Sequence, residues 1–173
     1  MAVGNLEFIK SASGTSVTTL DVTDCFSASY DVYKILITDF DLPTATYINF
    51  RLINSSGSVV TASNYDRAAL QMNSDSAFGE GRSTNITYLN YLADVGTGVA
   101  DTGGVTSYIF NPYSSSSYTF SISQSSSVRT NHRGMKNIGV LKQAASMTGF
   151  QILNAGNYTF DSLAVSVYGL ASN

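Results

Sequence analysis

The amino-acid sequence predicts an all-β protein: an antiparallel β-sandwich or jelly-roll-like single domain of about 8–10 strands that spans residues 1–173. Three observations predict this fold class. Eleven Tyr and nine Phe stand among 26 Ser and 17 Thr, and aromatic and β-branched residues favour strands. Strong helix formers are scarce, with two Glu and four Lys. Short segments that alternate apolar and polar residues recur along the chain, which is the period of a half-buried strand.

The first part of the chain predicts three strands. Residues 6–10 and 17–22 alternate and are separated by the Ser-Ala-Ser-Gly sequence at 11–14, which is typical of a turn. Residues 30–40 carry apolar side chains at both odd and even positions. We therefore expect both faces of this strand, including Leu36, to be buried.

The middle of the chain predicts a hairpin followed by less regular structure. Residues 47–54 alternate with Ile48, Phe50 and Leu52 directed inward, and the sequence NSSGS at 54–58 predicts a tight turn in which Gly57 has a positive φ. Residues 59–61 continue the pair. Further along, the pattern predicts a short strand or single turn at 68–72, a loop at 78–83, a strand at 85–92 and a glycine-rich, mobile connection at 94–104.

The last part of the chain returns to regular alternation. Strands are predicted at residues 105–110, 118–123, 135–142, 148–153 and 158–170, with turns at 111–117 (NPYSSSS) and 154–157 (NAGN). In the final strand Leu163, Val165 and Val167 point inward. We expect Val165→Asp, like Leu36→Asp, to prevent folding, because each places an unpaired charge inside the sheet.

Composition excludes several classes of protein. The net charge of −3 and pI of about 4.8 have the wrong sign for a protein that binds nucleic acid through Lys and Arg. Apolar runs reach only three residues, so no membrane insertion is expected, and no secretory signal is visible at the N-terminus. Cys25 is the only cysteine and forms no internal disulfide, which is typical of a chain made in a reducing cytosol. Only 12% of residues are charged, so a nearly neutral, hydroxyl-rich surface is left for contacts.

The sequence offers little for catalysis or metal binding. His132 is the only histidine; it lies between Arg129 and Arg133 in a polar segment, and no GxSxG motif is present. We interpret it as a loop histidine with a surface hydrogen bond. The close pairs Asp39 with Asp41 and Asp21 with Asp24 are typical of strand ends and turns rather than of a glycosidase. No catalytic residue, metal ligand or cofactor site is therefore predicted.

Contacts with other proteins are the interpretation that remains. Tyr offers a large contact area at a low entropy cost, and Ser and Asn supply adaptable hydrogen bonds. We expect Tyr113 and Tyr118, which bracket a run of four serines, to bind a partner together with Arg129, His132 and Arg133. Two alternatives stay open for the tyrosines: each is half-buried on its own strand, or they stack on sugar rings, although the chain has no Trp to serve that role.

Three segments resemble virion structural proteins of tailed bacteriophages, particularly those of marine cyanobacteria. They are YINFRLINSSGSVVTASNYD at 47–66, SYIFNPYSSSSYTFSISQSSS at 107–127 and NYTFDSLAVSVYGL at 157–170. The resemblance is a pattern of turns and strand residues rather than of catalytic groups. It implies a β-sandwich on the exterior of the particle, often oligomeric, with no enzymatic residue to carry over.

Within that family, domains of this kind occur in tail fibres and as separate decoration or accessory proteins. We expect a decoration or accessory subunit on the capsid or tail, since the sequence shows neither a shaft nor an anchoring segment. Its expected partners are other virion proteins and further copies of itself, as a trimer or another cyclic oligomer with the trimer preferred. Its expected location is the virion, after synthesis in the host cytoplasm. Two alternatives are a tail-fibre-type module that recognises host surface glycan and an enzyme that acts on envelope polysaccharide.

Overall fold

The computed structural model of the protein describes residues 5–171 and is almost entirely β-structure. Its strands are β1 (Leu6–Val17), β2 (Thr19–Val22), β3 (Val32–Asp41), β4 (Thr46–Asn54), β5 (Tyr65–Asn73), β6 (Gly79–Ile86), β7 (Leu89–Val95), β8 (Gly104–Phe110), β9 (Thr119–Val128), β10 (His132–Leu141), β11 (Met147–Asn154) and β12 (Phe160–Leu170). A 3-10 turn at Val99–Asp101 is the one helical segment in the described range. The all-β prediction is confirmed, with twelve strands rather than the 8–10 expected.

The strands form two antiparallel sheets in a jelly-roll order. The larger sheet runs β1-β12-β3-β8-β9-β10-β5-β6 and the smaller one β2-β11-β4-β7. The order β1-β12-β3-β8 in the larger sheet and β2-β11-β4-β7 in the smaller one is that of an eight-stranded jelly roll, although β7 packs against β9 and β10 rather than β8. The hairpins β5–β6 and β9–β10 are insertions into this order, and both extend the larger sheet.

The hydrophobic core lies between the two sheets. Phe50 on β4 and Phe150 on β11 stack with ring centroids 5.3 Å apart, and Phe26 packs edge-on against Tyr33 at 4.7 Å. From the larger sheet, Val165 contributes one of the many side chains that are almost fully buried. Such close aromatic and aliphatic packing supplies most of the free energy that holds two sheets together.

Several local predictions are confirmed. Ile48, Phe50 and Leu52 are buried on β4, as are Leu163, Val165 and Val167 on β12. Gly57 adopts a φ of 79° in the turn after β4. In the turn before β12, the Asn154 side chain accepts hydrogen bonds from the backbone N–H groups of Gly156 and Tyr158. In each case the signal is local, since it depends on alternation within one strand or on the chemistry of one turn.

Other predictions about the elements are wrong. Residues 11–14 are not a turn, because β1 runs through them and pairs with β12 along its length. In the loop predicted at 78–83, residues 79–83 belong instead to β6, which pairs with β5. The strand predicted at 85–92 is divided by a bend between β6 and β7. In the first and second of these cases, pairing with a neighbouring strand overrides the local preference of Gly and Ser for turns.

The prediction that both faces of β3 are buried is wrong for Leu36. Tyr33, Ile35 and Ile37 face the core, whereas Leu36 is only half-buried on the opposite side of the sheet. Beyond Ile37 the register with β12 shifts, which marks a β-bulge. The bulge changes the face that later residues present, and so Phe40 is buried in the core although its numbering places it with Leu36.

Candidate interaction surface on the larger sheet

Strand β9 has the reverse of the usual arrangement of polar and apolar side chains. Its inward positions are Thr119, Ser121, Ser123, Ser125 and Ser127, all of them buried. Its outward positions begin with Phe120 and Ile122, which are 45% and 43% exposed. A sheet with one face in water normally directs its apolar residues to the core. Here the hydroxyl groups lie inside and the large apolar side chains lie outside.

Close packing against β7 explains the small polar residues inside. Leu89 of β7 comes so near to β10 that a Cβ atom on Gly139 would lie 2.8 Å from the leucine methyl carbon. The buried hydroxyls are partly satisfied: Ser107 donates to Ser123 at 2.8 Å, and Ser127 donates to the Asp94 carbonyl at 2.8 Å. A small residue is therefore needed at Gly139, and Ser121 of β9 lies beside it in the register.

The neighbouring strands continue the apolar exterior. In the register of the sheet, Ile122 lies beside Ile138 of β10, and Phe120 lies beside Val140. Ile138 is 58% exposed, and Leu70 on β5 is 42% exposed. We call the exposed side of β8, β9, β10 and β5 the outer face; its apolar residues are Ala68, Leu70, Tyr108, Phe110, Phe120, Ile122, Ile138 and Val140.

The outer face is grooved rather than flat. A groove of about 440 Å³ lies over its apolar end and is lined by Phe110, Phe120, Ile138 and Val140 among others. A second groove of about 600 Å³ lies over β3, β8 and β9, where Thr106, Gln124, Ser126 and Lys136 replace the large apolar groups. Ile122 lines both grooves. The outer face thus has an apolar end and a polar end.

Leaving these side chains in water has a substantial cost. Each large side chain has roughly 180 Å² of surface when fully exposed. The exposed fractions of four residues then leave about 340 Å² of apolar area in contact with water; they are Phe120, Ile122, Ile138 and Leu70. At about 25 cal/mol per Å², covering that area is worth roughly 8 kcal/mol before the costs of association are subtracted. The largest apolar patch on a typical monomer is about 300–600 Å² and is often functional, so this patch is a candidate for an interaction site.

The structure brings together two of the predicted partner-binding residues. The carboxylate of Asp94, at the end of β7, is fully buried and receives hydrogen bonds from Arg129 at 2.9 Å and from Arg133. Both guanidinium groups remain partly exposed. The pair of arginines therefore ties the β9–β10 turn to β7, and two cations balance one buried anion.

His132 is the first residue of β10 rather than part of a loop, and it lies at the polar end of the outer face. Its Nε2 atom is 2.8 Å from the Ser126 hydroxyl, which is a surface hydrogen bond as expected. Among residues 5–171, this serine is the one side chain that is hydrogen-bonded to the imidazole. A serine nucleophile also requires its histidine to be oriented by a further group, such as an acid.

Tyr113 and Tyr118 lie at the opposite end of β9 from the arginines and His132. Both are exposed in the connection between β8 and β9. Because β9 has ten residues at about 3.3 Å each, the two groups are separated by roughly 30 Å along the strand. The five predicted residues therefore do not form one site, although Tyr118 comes two residues before Phe120 and continues the apolar end of the outer face.

The residues that sequence reasoning missed are Phe120, Ile122, Ile138, Val140 and Leu70. A signal for the first two was present, because β9 carries hydroxyl groups at every second position and only Phe, Ile and Gln between them in its first six residues.

Within the described residues, no group of three or more His, Cys, Asp and Glu side chains is placed to hold a metal ion. No helix in residues 5–171 has the length and apolar character needed to cross a membrane.

Comparison with known proteins identifies no family. No protein-family model and no curated protein matches the chain. A structure of the infectious bursal disease virus Gx strain and a crystal structure of the infectious bursal disease virus VP2 subviral particle each align over 100% of this chain, at 12% identity and a TM-score of 0.12. The chain spans 37% of the length of each. Scores this low indicate neither a shared fold nor a shared function.

Proposed function

We propose that this protein is a non-enzymatic structural protein of a tailed-bacteriophage virion, a decoration or accessory subunit on the exterior of the capsid or tail. One observation carries the proposal: the outer face exposes large apolar side chains while the buried side of the same strand carries hydroxyl groups. Such a surface favours stable contact with another protein. The proposal that this assembly is a phage virion comes from the resemblance of residues 47–66, 107–127 and 157–170 to phage virion proteins.

The architecture supports a role that depends on adhesion. Two sheets with a continuous core make a rigid scaffold, so binding requires little ordering of the chain. The low content of charged residues reduces the cost of removing water from ions at the contact. In this proposal the partners are other virion proteins and further copies of this chain, no cofactor takes part, and the protein resides in the virion after synthesis in the host cytoplasm.

Particle composition tests the proposal. Phage particles purified by density gradient should contain this polypeptide in a fixed copy number, measured by quantitative mass spectrometry. A phage that encodes Ile138→Lys should yield particles depleted of the protein, because the substitution places a cation in the apolar groove. Val99→Lys is the matched control, since Val99 is 78% exposed on the 3-10 turn and lies off the outer face. Recovery of the polypeptide only from the infected-cell lysate would refute a structural role.

The polar groove favours a second candidate function, a tail-fibre-type module that recognises host surface glycan. Its lining by Thr106, Gln124, Ser126 and Lys136 beside Tyr108 combines hydrogen-bonding groups with one aromatic ring. Such a combination suits a sugar ligand. Isolated protein at saturating concentration should then inhibit phage adsorption, and Gln124→Ala should weaken the inhibition. Unchanged adsorption would exclude this candidate.

The non-enzymatic part of the proposal has its own test. The hydrogen bond between Ser126 and His132 is the arrangement that most resembles a catalytic pair in the described residues. Purified protein should release no product from host envelope polysaccharide or from ester substrates. A turnover that is lost in both Ser126→Ala and His132→Ala would show that the protein is an enzyme.

A further inference from the structure

We infer that the outer face pairs with the outer face of a second copy of this chain, about a two-fold axis that runs parallel to the strands between β9 and β10. This inference rests on the outer face being the contact surface of the proposed function, and it names a second copy of this chain as the partner there. The outer face has four strands: β8 and β9 lie on one side of the proposed axis, and β10 and β5 lie on the other.

The two central strands of the outer face, β9 and β10, match each other in their apolar rows. In the sheet register, Ile122 on β9 lies beside Ile138 on β10, and Phe120 lies beside Val140. A rotation of 180° about an axis between these strands places β9 of one copy opposite β10 of the other at the same height. Ile122 then faces Ile138 of the second copy, and Phe120 faces its Val140. A two-fold interface requires this kind of self-complementary surface.

The polar end of the outer face is compatible with the same axis. Gln124 lies beside Lys136 in the register, so each Lys136 faces the neutral Gln124 of the second copy rather than a like charge. Next to the apolar end, Asp66 already forms an ion pair with Lys142 at 2.9 Å. On β9 and β10 the pairing therefore places apolar groups on apolar groups and brings no charge opposite another of the same sign. On the flanking strands it places Phe110 of β8 opposite Asp66 of β5, whose carboxylate is already paired with Lys142.

The dimensions of the outer face predict a reversible dimer. Four strands spaced about 4.8 Å apart, over seven or eight residues at about 3.3 Å each, cover roughly 19 by 25 Å, or about 475 Å² in plan on each copy. Specific contacts bury about 600–1,000 Å² per partner, so this interface lies near the small end of the range once its corrugation is counted. We expect association that depends on concentration rather than a permanent dimer.

The first test is mass in solution. Sedimentation velocity between about 5 and 500 µM should show a shift from the monomer mass of 18.4 kDa towards twice that value. Ile138→Lys should abolish the shift, and Val99→Lys should leave it unchanged. A monomer at every concentration, a trimer mass, or an unaltered dimer in Ile138→Lys would overturn the two-fold pairing. A monomer that still enters phage particles would leave the proposed function intact.

The second test is geometric. Opposed sheets lie about 10 Å apart, so thiols near the axis come within reach of a short bismaleimide. Ile122→Cys and Phe120→Cys should each cross-link with themselves, because both lie on β9 next to the axis. Val99→Cys should not, and Cys25 does not interfere because it is only 2% exposed. Equal cross-linking of Val99→Cys, or none with Ile122→Cys, would refute the arrangement.

Discussion

The Tyr65 hydroxyl occupies a position that a backbone hydrogen bond normally fills, and its removal should destabilise the protein measurably. The Leu52 N–H donates to this hydroxyl at 3.0 Å, and the hydroxyl donates to the Val60 carbonyl at 3.1 Å. In the other direction the Val60 N–H donates directly to the Leu52 carbonyl at 2.8 Å. The Tyr65 hydroxyl therefore links the Leu52 N–H to the Val60 carbonyl, a pair that forms no direct hydrogen bond.

Tyr65→Phe removes one oxygen atom and leaves both backbone groups without a partner. Tyr65, Leu52 and Val60 are all buried, so water does not easily replace the hydroxyl. A buried polar group that loses its partner costs about 1–3 kcal/mol, and two such groups give a loss of roughly 2–6 kcal/mol in the free energy of unfolding. Urea denaturation followed by circular dichroism measures this loss as a lower midpoint at an unchanged slope.

Tyr33→Phe is the matched control. Tyr33 is equally buried, but its hydroxyl binds the backbone N–H and carbonyl of Ser27, an exposed residue, at 2.7 and 2.9 Å. Water can replace this hydroxyl, so we expect a loss of only about 1 kcal/mol. A loss below about 0.5 kcal/mol for Tyr65→Phe, or one no larger than that for Tyr33→Phe, would refute the reasoning.

The pH dependence provides an independent check on the same residue. Burial raises the pKa of Tyr65 from 10.0 to about 12. A phenol whose pKa is higher in the folded state adds stability that is present below the pKa of the unfolded chain and is lost as the pH rises through the folded value. The stability difference between wild type and Tyr65→Phe should therefore shrink between pH 10 and pH 12. A difference that stays constant over this interval would contradict the assigned role of burial.

Three further predictions follow from burial and charge. Val165→Asp should prevent folding because Val165 is 2% exposed, whereas Leu36→Asp should give a soluble protein with a cooperative urea transition; an unfolded Leu36→Asp would contradict its half-buried position. Burial raises the pKa of Cys25 to about 12, so a thiol reagent at pH 8 should label it only after denaturant is added, and rapid native labelling would argue against the buried thiol. The Asn85 backbone N–H, followed by Lys142, lowers the pKa of Asp66. The stability it adds is present above the pKa of the unfolded chain and is lost as the pH falls through the folded value, so the difference between wild type and Asp66→Asn in urea denaturation should decrease from pH 6 to pH 2, and a constant difference would be inconsistent with this.

Local patterns in the sequence were sufficient for the fold class and for several inward faces. On β12 the apolar residues alternate with small or polar ones, and burial follows the alternation because one side of the strand meets the core. On β4 the inward residues are buried as predicted, but Asn49 and Ile53 on the opposite face are buried too. The turn at Gly57 was also predictable, since a positive φ favours glycine. These features depend on neighbours within the same few residues of chain.

The candidate site was predicted only in part, because it depends on contacts between residues far apart in the chain. Arg129 and Arg133 were singled out by their charge, but their common partner Asp94 is more than thirty residues away along the chain. Tyr113 and Tyr118 were singled out by residue type, and the topology places them at the other end of β9. Which residues meet across strands depends on sheet order, which no local pattern contains.

Alternation by itself determined that β9 has one hydroxyl face and one largely apolar face. Only the tertiary structure decided that the hydroxyl face is the buried one, because β7 packs against β9 and β10 and comes so near that a Cβ atom on Gly139 would lie 2.8 Å from Leu89. Phe120, Ile122 and Ile138 were thereby left on the outside. The alternation of side chains separates the two faces of a strand, but the packing of the second sheet determines which face is exposed to water.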